Sequence, residues 1–156
     1  MLINESPLPE DDLSGSPMSA DGGQLLGRMI AAMGLNPEDV YSTLAVKCAA
    51  LSFRLPLESE LKSCRPWLRE ELAVLRPRIV VCFGIGALAA LAPELAADGL
   101  ARLRGRWLNV GGTAIRVTHS FSVMARVKER KRDVWLDLQE VMKRLNQPES
   151  AIPSPE

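Results

Sequence analysis

The run Ile79-Val-Val-Cys-Phe83 constrains this chain more than any other segment. It is apolar at every position and stands between Arg76-Pro-Arg78 and Gly84. A half-buried strand would alternate with polar residues. A continuous run of this length reads as a strand covered on both faces, which parallel sheets achieve by crossing over with helices. Other strand signals are Leu2–Asn4, Val40–Val46 and Ala114–Thr118. Helical patterns lie between them. One spans Gln24–Met33 and ends at Gly34, a natural helix stop. The next begins near Leu57, carries Pro66 inside it, and stops at Arg76-Pro77. A short Ala-rich helix fits Ile85–Leu91, and Glu129–Leu145 carries a stripe of Val134, Trp135, Leu138, Val141, Met142 and Leu145. Gly111-Gly112 marks a turn or β-ribbon. The expected fold is α/β, a three-layer sandwich with a central, mostly parallel four-stranded sheet. The expected domain covers 1–146, with a disordered tail at 147–156.

The chain has 156 residues, enough for one core. No apolar run reaches the roughly 18 residues of a membrane span. No secretory signal pattern is visible, and three cysteines without one point to the cytoplasm. Net charge is zero but unevenly spread. Residues 1–21 carry five acids and no base, whereas 101–132 carry nine Lys/Arg and the single acid Glu129. That basic third suits a polyanion, or it is simply a solvated surface.

Chemistry-bearing residues are sparse. Glu5 follows the first strand and His119, the only histidine, follows the last. An acid and an imidazole at strand ends suit general acid/base work. Gly84-Ile-Gly86 is too short a pattern to indicate a nucleotide site, and no phosphate-binding loop is present. Cys82 sits mid-strand as a small buried hydrophobe. By composition alone Cys48 and Cys64 read as inert buried thiols, because cluster and zinc sites usually need four ligands.

Taken in register, these segments resemble the family 4 uracil-DNA glycosylases from Ile3 to about Leu145. Glu5-Ser-Pro7 looks like the family's Gly-Glu-x-Pro-Gly motif. Asp11-Asp12 and Gly15-Ser-Pro17 fall on its acidic pair and Gly-Arg-Pro. Gly23-Gln-Leu-Leu26, Val40-Tyr-Ser-Thr43, Val46-Lys-Cys48, Cys64-Arg-Pro-Trp-Leu68, Leu75-Arg-Pro-Arg-Ile79, Leu103-Arg-Gly-Arg-Trp107, Thr118-His119 and Trp135 continue the series. The resemblance implies cleavage of the N-glycosidic bond of uracil in DNA, with the nucleotide flipped into a pocket. On it, Glu5, Asp11 and His119 are the catalytic candidates, and Asn4, Pro7, Met18, Leu44, Phe53 and Arg54 are pocket candidates.

Several of these positions depart from the family pattern. Met18 replaces the stacking aromatic, Leu44 the uracil-reading Asn, and Phe53 a loop Asn, although Arg54 beside it is kept. Asn4 and Leu8 replace the glycines flanking the first motif, and His119-Ser120 replaces His-Pro. Cys48 and Cys64 fall on two of the four ligands of the family's iron–sulfur cluster, and the matching amino-terminal Cys-x-x-Cys is missing. Loss of that segment is favoured over a start further upstream. No cofactor is expected, and a [4Fe-4S] cluster only if ligands come from elsewhere.

The favoured expectation is a glycosylase-like domain, catalytically degenerate, with a binding role in DNA repair or replication. An active base-excision glycosylase of altered specificity is the first alternative. A replisome subunit similar to the psi subunit of DNA polymerase III is the second. Weak, sequence-independent DNA binding is expected through Arg126, Lys128, Arg130, Lys131 and Arg132, with Arg102, Arg104 and Arg106 nearby. Phe121, Val123 and Met124 stand where the family has its DNA-wedging loop. Replication or repair proteins are further candidate partners, and no membrane is.

Overall fold

A computed structural model describes residues 1–7, 11, 14–15, 21–49 and 54–147. Five strands form one sheet: β1 (Leu2–Asn4), β2 (Ser42–Leu44), β3 (Ile79–Phe83), β4 (Trp107–Val110) and β5 (Thr113–Thr118). Their order is β2-β1-β3-β5-β4. The first four in that order run parallel, and β4 pairs antiparallel with β5. The expected four strands therefore become five. The Gly111-Gly112 turn, with φ of 58° and 87°, folds β4 back on β5 as a hairpin.

The helices are α1 (Asp21–Ala32), α2 (Glu58–Leu75), α3 (Ile85–Leu91), α4 (Pro93–Ala96), α5 (Leu100–Leu103), α6 (Phe121–Arg126) and α7 (Arg130–Leu145). They cover both faces of the sheet. Leu2, Val81, Phe83 and Ala114 pack against Leu26, Met29 and Ile30 of α1, Phe121 and Met124 of α6, and Val134 and Leu138 of α7. The opposite alternation phase, Ile3, Val80, Cys82, Ile115 and Val117, packs against Leu61 and Leu68 of α2, Leu88 of α3 and Leu103 of α5. All five residues of β3 are buried, as a central strand between two helical layers requires.

Strand β2 is shorter than its apolar signal: regular pairing covers Ser42–Leu44, although the Tyr41 carbonyl before it and the Ala45 and Val46 N–H groups after it still bond to the β1 segment, and Ala45 and Val46 stay buried. Helix α2 tolerates Pro66 because that residue and Lys62, four before it, lie on its exposed side, so the carbonyl the ring cannot serve is open to solvent. Its first turn is fixed by Glu60, whose Oε2 accepts the Leu57 N–H at 2.8 Å. The segment expected to wedge into DNA is instead helix α6, with Phe121 and Met124 buried in the core. Phe121 meets Phe83 at a centroid distance of 4.8 Å. Apolar residues spaced three apart had a core to fill, and burial of the two side chains wins over exposure. Among the described residues no helix is long and apolar enough to cross a membrane. The tail expected at 147–156 lies, beyond Gln147, outside the described residues.

Candidate functional site

A cleft of about 320 Å³ opens at the carboxyl ends of β1, β3 and β5. The chain passes from β1 outward to β2 and then returns to β3 on the other side of β1. The cleft thus lies at the point where strand order reverses, where loops diverge and leave room for a ligand. The β1 loop supplies Asn4, Glu5, Ser6 and Pro7; the β3 loop supplies Gly84 and Ile85; the β5 loop supplies Ser120, Phe121, Ser122 and Val123. Arg54, Leu55, Leu100 and Arg126 complete it.

Glu5 is its best-defined group. The side chain is buried and its Oε1 accepts the Gly86 N–H at 2.9 Å. Gly84 makes this seat. With φ of 100° it adopts backbone that side chains disfavour, and a Cβ there would overlap Glu5 Cδ and Oε1. Burial pushes the Glu5 carboxyl above its ordinary range, while the Gly86 N–H and the neighbouring Ser120 hydroxyl pull the other way. Ser120 Oγ lies 3.0 Å from Ser122 Oγ. At the rim, Arg126 spends its Nε on the Ser122 carbonyl at 3.2 Å. Arg54 is held in a two-point fork by Glu60, at 2.6 and 2.8 Å. That fork, with the Leu57 N–H, draws the Glu60 carboxyl down to about 2.

His119 stands elsewhere. It follows β5, and β3 lies between that strand and β1. His119 is not among the residues lining the cleft. Its ring faces the first turn of α7, with Nε2 3.4 Å from Asp133 Oδ2, off-axis for a hydrogen bond. Burial first, then Arg104 and Arg130, push the imidazole below its ordinary range, and Asp133 opposes them. Asp133 itself is claimed by Arg130 at 2.8 Å.

The other expected site residues are scattered. Leu44 is buried at the end of β2 and does not line the cleft. Asp11 is buried. Asp12, Met18 and Phe53 lie outside the described residues. Arg126, Lys128, Arg130, Lys131 and Arg132 are all exposed, at the end of α6 and the start of α7. Arg102 and Arg106 are exposed too. Arg104 is not free for a phosphate: its Nε donates to Asp137 at 2.9 Å and its terminal nitrogen to the Asp133 carbonyl.

Asp137 is the polar centre that sequence reading missed. It is 1% exposed and accepts from Arg116 at 2.8 and 3.1 Å, Arg104 at 2.9 Å and Thr118 at 2.8 Å. The signal was present. Asp137 falls three after Val134 and four before Val141, on the buried stripe of α7, and Arg116 interrupts an apolar strand. A buried acid and a buried base in two packed elements imply each other.

This chain matches the model of the uracil DNA glycosylase superfamily over residues 1–139, and it belongs to that superfamily. Relatives named as type-4 and as type-5 uracil-DNA glycosylases both match it. A type-4 uracil-DNA glycosylase of Archaeoglobus fulgidus is 37% identical over 84 residues, 54% of this chain and 42% of the relative. That of Saccharolobus solfataricus is 32% identical over 122 residues, 75% of this chain and 56% of the relative. That of Thermotoga maritima is 28% identical over 143 residues, 89% and 73% of the two chains.

The residues here do not fit the four-thiolate cluster that the family resemblance implies. Cys48 is exposed, correcting its reading as a buried thiol, Cys64 is half-buried on α2, and Cys82 is buried inside the sheet. Among the described residues no three or more metal-ligating side chains converge.

Proposed function

We propose that this chain is a DNA-binding member of the superfamily whose cleft admits a base but excises uracil slowly or not at all. The observation that carries this is the content of the cleft: it holds the Glu5 carboxylate, while His119 packs toward Asp133. A departing uracil anion needs electrostatic help aimed at it, and an imidazole held below its ordinary range and out of the cleft is poorly placed to give that help. Leu44 offers no hydrogen bond to a uracil edge, which costs about 1–3 kcal/mol per unpaired buried group. Together these losses amount to several powers of ten in rate. DNA contact falls to Arg126 at the cleft and the exposed Lys128, Arg130, Lys131 and Arg132 beside it. On this reading the chain by itself holds no iron–sulfur cluster.

A second reading, an active glycosylase of altered specificity, draws on Glu5. A buried carboxyl held above its ordinary range at a cleft wall is suited to take a proton from water. Excision assays on uracil-containing single- and double-stranded DNA, with protein in excess, separate the two. The first reading expects at most slow cleavage, together with DNA binding that weakens steeply as salt rises. Robust cleavage that vanishes in Glu5→Gln establishes the second.

A further inference from the structure

We infer that Arg130 links the DNA backbone to a proton on His119: a phosphate that takes Arg130 frees Asp133 to hold the imidazolium, so this chain takes up a proton as it binds DNA. The inference rests on the DNA-binding reading above and adds the regulation of that contact. One carboxylate oxygen carries it. Asp133 Oδ2 accepts from Arg130 at 2.8 Å, and His119 Nε2 stands 3.4 Å from the same oxygen. That Nε2 is buried and has no hydrogen-bond partner among the described residues. A buried ring nitrogen beside an acceptor normally pairs with it. Here Arg130 already occupies the oxygen.

The charged groups facing the ring are Arg104, which follows α5, and Arg130 and Asp133 of α7. The two cations are not equivalent. Arg104 is tied inward, with its Nε on Asp137 and a terminal nitrogen on the Asp133 carbonyl, both at 2.9 Å. Arg130 is half-exposed and stands in a run with the exposed Lys131 and Arg132. A phosphate meeting that run therefore reaches Arg130 first. An exposed ion pair is weak and exchanges readily, whereas a guanidinium takes a phosphate in a two-point fork. Once Arg130 turns to the phosphate, its charge beside the ring is neutralised and Asp133 Oδ2 is open to an Nε2–H. Both changes favour the charged imidazole. In the free protein burial, Arg104 and Arg130 hold the ring below its ordinary range. The DNA-bound form then holds more protons than the free form, so affinity rises as pH falls through the two midpoints. By linkage, proton and phosphate strengthen each other by the same factor.

The chain has one histidine, so a single imidazole Cε1–H resonance reports its titration by NMR between about pH 5 and about pH 8. The protein is titrated free and with a short mixed-sequence duplex held at saturation. In wild type the midpoint is expected to be higher on DNA by roughly one pH unit, equivalent to a tenfold gain in affinity from alkaline to acidic pH. In Arg130→Gln the midpoint of the free protein is expected to stand already near the DNA-bound value, and DNA to move it little. The substituted side chain is on the surface, and the same spectra report that the variant is folded. Three results overturn the inference and leave the DNA-binding reading standing: wild-type binding without a rise, an equal rise in Arg130→Gln, or a free midpoint in Arg130→Gln equal to that of wild type. No binding of the duplex by wild type overturns both.

Discussion

Replacing Gly84 by Ala isolates the seat of Glu5, and Gly99 supplies a matched control. Both glycines lie in a backbone region open almost only to glycine: φ 100° and ψ 160° at Gly84, φ 75° and ψ 156° at Gly99. Placing a side chain in that region costs on the order of 1–3 kcal/mol at either site. Around Gly99 nothing lies within 4 Å of an added Cβ. At Gly84 the added carbon would overlap Glu5 Cδ and Oε1 and come within 2.7 Å of Cγ. Glu5 would have to leave, breaking its 2.9 Å bond to the Gly86 N–H. Losing a hydrogen bond to a charged group costs about 1.5–3 kcal/mol more. Gly84→Ala should thus destabilise by about 2.5–6 kcal/mol, and Gly99→Ala by the strain alone. Urea denaturation of both variants reads the difference. The reasoning fails if the two lose the same stability within about 0.5 kcal/mol, the usual noise of additivity between sites.

Asp137→Ala leaves Arg116 buried at 5% exposure without its counter-charge, and thermal melts should show a loss of about 3–5 kcal/mol. His119 binds fewer protons folded than unfolded, so its stabilising contribution is complete above its ordinary value of 6.5 and is lost as pH falls below it; His119→Gln should flatten that slope in melts taken at successive pH steps. Glu5 has the opposite sign: its folded carboxyl is raised, so stability falls as pH climbs above its ordinary value of 4.5, and Glu5→Gln should be the more stable at neutral pH. The purified protein should be colourless, because three cysteines, one sealed in β3, cannot supply four thiolates; about four irons per chain after anaerobic purification would refute this.

The sequence by itself determined the layers. Periodicity is local, so Ile79–Phe83 declared a strand covered on both faces and Ile85–Leu91 a helix, and β1, β3 and α3 stand where their residues said. The motif series carried the superfamily, since a set of spaced residues survives as a pattern along the chain. Side-chain partnership is not local, and only the tertiary structure decided it. Whether Phe121 and Met124 wedge outward or pack inward depended on the space between β3 and α7. Arg104 read as a phosphate contact until Asp137, far along the chain, claimed it. Glu5 and His119 looked like a pair on paper because both follow strands. Strand order put β3 between them, and the Asp133 side of α7 drew the imidazole away from the cleft that Glu5 occupies.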